Sequence, residues 1–394
     1  MISYDDAIDL LLAEVQPLRS EIVTIDQLNG RTLAQDIVAM LDAPRADVSA
    51  MDGYAVCKAS AETRRWLQVT GESAAGSPFT GSIAPGQAVR IFTGAHVPDG
   101  ADAVVIQEHA ERDGDRVRFR SGFGPCRHIR RRGSDFAVGD VLLQSGHRVD
   151  ARAMIAVAGA DVASVAVARR PNIAIICTGD ELLPPGAARL DEHRLPESCS
   201  YGVAALAQAG GAVLTEPLRG RDDLEELSIA ANRALHTADC VVVIGGASVG
   251  DHDFARPMFK DTGVKEIFAK VAIKPGKPVW FGMAGRKPVL GLPGNPTSAM
   301  VTARLFLVPM LAALQGASGR GEVRFRPQIL ASPLPPGDSR ETFVRAMATA
   351  DGLIPASNQE SGSQAPLAAS DWLIRRRVRE KPLAAGETID AVCF

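Results

Sequence analysis

The stretch that most constrains this chain is Cys240-Val-Val-Val-Ile244, which is wholly apolar and dominated by β-branched residues. A run this short and this uniformly apolar has no solvated face, so it reads as a strand buried on both sides, as parallel sheets require. Asn172–Cys177 and Val213–Glu216 read as strands as well. Between the three fall two predicted helices, about Tyr201–Ala209, stopped by Gly210-Gly211, and Leu224–Leu235. The resulting βαβαβ order predicts a parallel, doubly wound α/β sheet.

Ligands of such sheets bind beyond the carboxyl ends of the strands, which directs attention to the loops found there. After Ile244 come Gly245-Gly246-Ala-Ser248 and, further on, Asp253; the glycines let backbone N–H groups turn toward a ligand. A second apolar run, Ile267–Ile273, ends in Lys274-Pro275-Gly276-Lys277-Pro278, where Pro-Gly suits the centre of a type II turn. That turn brings two ammonium groups together, and they repel unless an oxyanion sits between them. Lys270 is placed on the same strand face and adds a third charge. The third loop, Gly291-Leu-Pro-Gly-Asn295-Pro-Thr-Ser298, offers an N-cap in Asn295, a helix-opening proline and free N–H groups at the positive end of an apolar helix, Thr297–Leu314. Any one of these loops is also an ordinary strand-to-helix turn. Three of them with clustered lysines predict an anion site. Thr178-Gly-Asp-Glu181 puts two carboxylates at the end of the first strand, a pattern that serves metals or ribose hydroxyls. Asp222-Asp223 reads locally as an ordinary helix N-cap.

The 394 residues exceed what one core supports, and 37 Gly and 25 Pro spread along the chain suggest several domains. A net charge of −3 with few aromatics excludes a bulk attraction for nucleic acid. The six cysteines show no Cys-x-x-Cys pair, which fits reduced thiols in the cytoplasm. Neither an export signal nor a membrane span is expected, since the N-terminus is acidic and the most apolar helix-length stretch, Ala153–Ala168, is interrupted by Asp161.

Taken in order, a capped amphipathic helix follows Ser3, then a strand Glu21–Ile25 and a helix Gln27–Ile37. From Trp66 to Phe119, short apolar runs alternate with turn signals, as in a small all-β unit. The predicted division is an interrupted N-terminal α+β scaffold (1–45 and 140–170), an inserted β-rich domain (46–139), an α/β domain (171–318) and a C-terminal β domain (319–394). Arg130-Arg131-Arg132 reads either as a solvated face or as a ligand contact. Arg375-Arg376-Arg377 reads as a solvated edge strand. Arg345, Ser361 and Ser363 are the candidate contacts of the last domain.

With these residues in view, the chain resembles the molybdopterin molybdenumtransferase family, which includes the C-terminal domain of gephyrin, along nearly its whole length. The motifs are Met51-Asp-Gly-Tyr-Ala55, Thr93-Gly-Ala95 with Gly100 to Glu108, Arg132-Gly-Ser-Asp135, Thr178-Gly-Asp-Glu-Leu182, Gly245 to Gly250, Lys274-Pro-Gly-Lys-Pro278 and Gly291-Leu-Pro-Gly-Asn-Pro296, all in the family's order.

The resemblance implies an elongated four-domain subunit in a homodimer, with a cleft that binds adenylated molybdopterin and molybdate. It implies Mg²⁺-dependent hydrolysis of the adenylate and insertion of molybdenum, giving molybdenum cofactor and AMP. Partners are then molybdopterin adenylyltransferase and recipient apo-molybdoenzymes. Carried over by motif, Asp52, Thr93 and Asp135 come from the β-module side, and Glu181, Asp222, Asp253, Lys270, Lys274 and Lys277 from the sheet domain. Asp52, Glu181 and Asp253 are the Mg²⁺ ligands implied; Gly246, Ser248, Asn295 and Ser298 line the substrate, and Arg345 and Ser361 add an anion contact. One departure stands out: the family's Asp-Ser-Asn before the first sheet helix is here Glu197-Ser198-Cys199. It either removes an amide from the ligand's surroundings or is a packing change. A weakened cofactor-binding paralogue and a molybdopterin adenylyltransferase are the alternative readings.

Overall fold

The computed structural model describes residues 1–120, 127–215, 218–220 (backbone), 222–246 and 254–394. At its centre a sheet runs in the order Val213–Leu214, Asn172–Thr178, Cys240–Ile244, Lys287–Leu292, Trp280–Ala284, Val264–Ala269, with Leu218–Gly220 also paired to Asn172–Thr178. The first four strands are parallel and the last two antiparallel. Alternation along Cys240–Ile244 explains its composition. Val242 and Ile244 enter a core with Val203, Leu290 and Leu311, while Val241 and Val243 enter another with Leu227, Ala231 and Val289. Helices Cys199–Ala209 and Pro296–Leu314 cover the first face, and Leu224–Thr237 the second. The molecule is therefore multidomain α/β plus β, with a doubly wound sheet that carries an antiparallel edge.

The run Ile267–Ile273 is not one strand. Val264–Ala269 forms the antiparallel edge, Lys270 turns with φ of 65°, and Ile273–Lys274 leaves to pair in parallel with Glu341–Thr349 of another sheet. Lys270 thus does not share a strand face with Lys274, because its left-handed backbone breaks the alternation. The long helix is α over Pro296–Thr302, π over Ala303–Leu307 and α again over Val308–Leu314. It is the one helix among the described residues that is long and apolar enough to cross a bilayer, and most of it is buried within the protein.

The chain visits the N-terminal α+β unit twice, on either side of the inserted β module. Ser20–Thr24 pairs with Ser164–Ala168 and Ile37–Val38 with Val141–Leu143, closing a core of Val23, Leu28, Leu33, Val149, Ala153 and Val157. The inserted module is a six-stranded sheet in the order Ala103–Ile106, Gly53–Val56, Gln87–Ile91, Leu67–Ser73, Arg116–Phe119, Ala110–Asp113.

Two expectations are corrected here. Gln27–Ile37 is not a helix; only the 3₁₀ turn Ile25–Gln27 forms before Gly30 takes φ of 75°. Helix Tyr4–Glu14, capped by Ser3, packs away from the scaffold core: Tyr4 meets Phe306 and Phe343 edge-on at 5.7 and 5.2 Å, and Asp5 pairs with Arg375 at 2.7 Å.

The last sheet runs Ile273–Lys274, Glu341–Thr349, Trp372–Arg376, Thr388–Cys393, Arg326–Ile329, with Gly352–Pro355 on Glu341–Thr349. Trp372–Arg376 is an interior strand, so Arg375 and Arg376 are buried rather than a solvated edge. Arg375 is tolerated there because Glu341 and Asp5 accept from its guanidinium, which also lies over the Tyr4 and Phe325 rings.

Candidate active site: two adjoining clefts at the carboxyl end of the sheet

Where the parallel strands end, the chain leaves two cavities of about 830 and 800 Å³ that share Lys277, Pro278, Pro293, Asn295 and Gly362. The first is floored by the ends of Asn172–Thr178 and Cys240–Ile244 and by Gly245, Gly246 and Gly294. The second is lined by Lys274, Lys277, Arg340, Ser298 and Ser361, with Glu360 the carboxylate of its rim. Each cleft needs residues from sequence-distant loops, which is why neither could be assembled from one motif.

Glu181 and Asp222 both line the first cleft. Gly179, with φ of 144°, lets the Glu181 carboxylate fold back: a Cβ there would lie 2.9 Å from both carboxylate oxygens. The helix cap is Asp223, whose side chain accepts from Glu226 N–H at 2.9 Å. Asp222 stands one residue before it, and its N–H donates to Asp180 Oδ1 at 3.2 Å. Of the Asp222-Asp223 pair, Asp223 makes the expected cap, and Asp222 lines the cleft. Lys270 and Lys277 line the same cleft, both exposed.

Gly276 holds the lysine loop against the long helix, since at φ of 108° a Cβ would meet Thr302 Cγ2 at 2.3 Å. Lys274 precedes a cis peptide to Pro275, and the turn closes with Val279 N–H donating to Gly276 O. The picture of two uncompensated ammonium groups is corrected for Lys274. Its Nζ donates to Asp338 Oδ2 at 2.9 Å. That bond, aided by Ser339, pulls the Asp338 carboxyl down to about 2.

Asn295 occupies the N-cap position, but its side chain caps nothing. Its Nδ2 donates to Ser361 Oγ at 2.9 Å, and Ser361 O accepts from Thr297 N–H at 3.0 Å. One of the helix's open N–H groups is therefore already taken by the last domain. Ser298 is nearly buried and lines the second cleft. Arg345 is 1% exposed and lines neither cleft, so it is not placed as an anion contact. Its guanidinium donates to the carbonyls of Asn358, Glu360 and Ser363 at 2.9–3.2 Å, shaping the loop that presents Ser361.

Asp52, Thr93 and Asp135 line neither cleft of the same chain. Asp52 Oδ1 accepts from both Thr93 N–H and Oγ1 at 2.8 Å, and these bonds hold its carboxyl below the usual range. Arg131 and Arg132 are occupied by Asp47 and Asp42 at the surface. Gly246 lines the first cleft, whereas Ser248 and Asp253 lie outside the described residues. Among the described residues no group of three or more His, Cys, Asp or Glu is arranged to hold a metal. Mg²⁺ beside a phosphate takes only one or two carboxylates, its remaining positions going to water and phosphate oxygens, and Glu181 with Asp222 fit that lesser demand.

Cys199 lines the first cleft, with Sγ 3.3 Å from Gly294 O. Burial, with Glu197 nearby, pushes its thiol up to about 11. An acid whose pKa is raised stays protonated until pH climbs through the new value, so Cys199 is a neutral donor at physiological pH. At pH 8 an alkylating reagent should label the exposed Cys393 and largely spare Cys199, whose rate should climb only toward pH 11. Rapid labelling of Cys199 at pH 8, located by peptide mass, would contradict this. Arg340, Glu197 and Gly362, which line the clefts, and Asp338, which pairs with Lys274, are residues that sequence reasoning did not single out as contacts.

Comparison with known proteins agrees with this architecture. Residues 2–160 match the family described as "MoeA N-terminal region (domain I and II)", and residues 174–313 match "Probable molybdopterin binding domain". A Haemophilus influenzae protein named molybdopterin molybdenumtransferase is 34% identical over 318 residues, spanning 80% of this chain and 78% of that one. Proteins of the same name from Nostoc and Staphylococcus epidermidis are 32% and 30% identical, each over 99% of this chain and 93% and 95% of their own. The crystal structure of a molybdopterin biosynthesis moeA protein from Pyrococcus horikoshii superposes over the full length of both chains with a TM-score of 0.84 at 25% identity.

Proposed function

The chain belongs to the molybdopterin molybdenumtransferase family, and from that premise we propose that the first cleft takes adenylated molybdopterin and the second takes molybdate. The observation that carries this reading is the pairing itself: a carboxylate-bearing cavity and a cation- and hydroxyl-lined cavity meet at Lys277. Lys277 then contacts both substrates, and Lys270 offsets the phosphate charge. Lys274, Arg340, Ser298 and Ser361 surround a tetrahedral oxyanion. Water attacks the adenylyl phosphorus and displaces the phosphate of molybdopterin, which releases AMP; the two dithiolene sulfurs then replace oxygens of molybdate from the adjoining cleft, those oxygens departing as water with the thiol protons, and no protein nucleophile is needed. Mg²⁺, held by Glu181 and Asp222, would supply charge neutralisation at the phosphate.

A homodimer belongs to the same proposal. Asp52, Thr93 and Asp135 stand apart from both clefts of their own chain, so a second copy is what would bring them to the substrate. Ile22, Met40 and Ile155 leave apolar surface exposed on the scaffold unit, as a subunit contact requires. A cytoplasmic location is also proposed, supported by five free cysteines among the described residues. Against an adenylyltransferase stands the second cleft, which needs Arg340 and Ser361 from beyond the molybdopterin-binding segment.

Reconstitution tests the proposal: adenylated molybdopterin, Mg²⁺ and molybdate are supplied, and AMP release and activation of an apo-molybdoenzyme are measured. Glu181→Gln should lower AMP release at limiting Mg²⁺ by about tenfold or more while nucleotide binding stays within about threefold. Wild-type turnover in that variant would remove Glu181 from the metal. Binding without AMP release in the wild type would favour the weakened paralogue.

A further inference from the structure

A carboxylate that is not itself part of the second cleft's lining is tied to one of the cleft's cations. Asp338 accepts from Lys274 Nζ through Oδ2 at 2.9 Å, while its Oδ1 accepts from Ser339 N–H and Oγ at 2.6 and 3.0 Å. Its backbone is fixed too, with Asp338 O accepting from Arg379 N–H at 2.9 Å. The segment that carries it leads into Glu341–Thr349, the strand beside which Ile273–Lys274 runs in parallel. The two charges are thus delivered by neighbouring strands. The cleft is lined by three cations, Lys274, Lys277 and Arg340, and one carboxylate, Glu360, a surplus that suits a dianion; Asp338 cancels part of it.

We propose that Asp338 is a positioning residue and resident counter-ion of the second cleft, holding Lys274 at the wall and tempering the grip on a tetrahedral dianion. The inference rests on the reading of that cleft as an oxyanion site. An anion that is a substrate to be handed on must leave its site as well as enter it, and a fixed negative charge behind one of its cations weakens the hold. The repulsion between that charge and the bound anion grows with the anion's charge, being about twice as large in free energy for a dianion as for a monoanion of the same shape. A side chain that merely braced the loop would show no such dependence.

Calorimetric titration of the purified protein with molybdate and with perrhenate, a tetrahedral monoanion, reads this directly. Asp338→Asn should tighten molybdate about tenfold and perrhenate about threefold, and Asp338→Glu should stay within about twofold of wild type for both. Asp338→Ser, equally uncharged, should repeat the pattern and stands in for the Asn variant should that one misfold. Weaker molybdate binding in the uncharged variants, or equal shifts for the two anions, would overturn the proposal. If wild type binds molybdate, Lys277→Ala weakens it and Asp338→Asn changes neither anion, the counter-ion role falls while the oxyanion site stands. If wild type binds no molybdate, the site reading fails and takes the counter-ion with it.

Discussion

Replacing Lys277 by Ala is expected to weaken molybdate binding by about ten- to a hundredfold while leaving the ligand-free protein as stable as wild type. Lys277 is exposed, lines both clefts and has no ion-pair partner among the described residues. A single charge-assisted contact contributes about 1.5–3 kcal/mol, which sets the size of the affinity loss. Losing an exposed side chain without a partner changes folding stability by no more than about 0.5 kcal/mol. Lys274→Ala should behave differently, because it strips Asp338 of its cation. Calorimetry with molybdate, together with melting curves with and without it, checks both halves. A Lys277→Ala protein that binds normally, or one that melts early while keeping its molybdate-induced increment, would assign the lysine to the scaffold.

The central sheet was legible because burial on both faces leaves a plain mark: Cys240–Ile244 has no polar residue to place, and the two cores on either side of it account for each of its side chains. The loops at its carboxyl end were legible for a related reason, since Gly179 and Gly276 mark backbones that no larger side chain could share with their neighbours. The antiparallel edge was not. Ile267–Ile273 reads as one run in sequence, and only the pairing of Ile273–Lys274 with Glu341–Thr349 separates its end from the edge strand Val264–Ala269. Local rules also failed where a tertiary partner outbid the local one. Asn295 has the residue type and position of a helix cap, yet its amide is spent on Ser361, sixty-six residues away. Asp338 carried no signal at all, because a carboxylate in a Gly-Asp-Ser turn looks solvated until the partner strand places Lys274 beside it. Arg375 and Arg376 misled in the opposite direction: three successive arginines suggest an edge, yet Asp5 and Glu341, far along the chain, make the burial of Arg375 tolerable, and Glu380 with the Pro335 and Lys381 carbonyls does so for Arg376.

Arg345 offers the sharpest test of that distinction between a charge that serves the ligand and one that serves the fold. Its guanidinium is among the largest fully buried side chains, without an ion-pair partner among the described residues, and burial lowers its pKa. What holds it is geometry: a planar fork reaching the carbonyls of Asn358, Glu360 and Ser363, with its own N–H donating to Gln359 Oε1 at 3.0 Å. Arg345→Met keeps much of the volume and leaves those three acceptors without their donor, each at a cost of about 1–3 kcal/mol, so stability should fall by roughly 3 kcal/mol or more. Arg345→Lys should rescue little, because an ammonium group has no fork to span the loop. The same loop presents Ser361 to Asn295 and closes one side of the second cleft, so molybdate affinity should fall along with stability. Denaturant unfolding and molybdate titration of the two variants decide between roles. A direct anion contact would cost affinity and spare stability; a Met variant that unfolds like wild type yet has lost molybdate would restore Arg345 to the site.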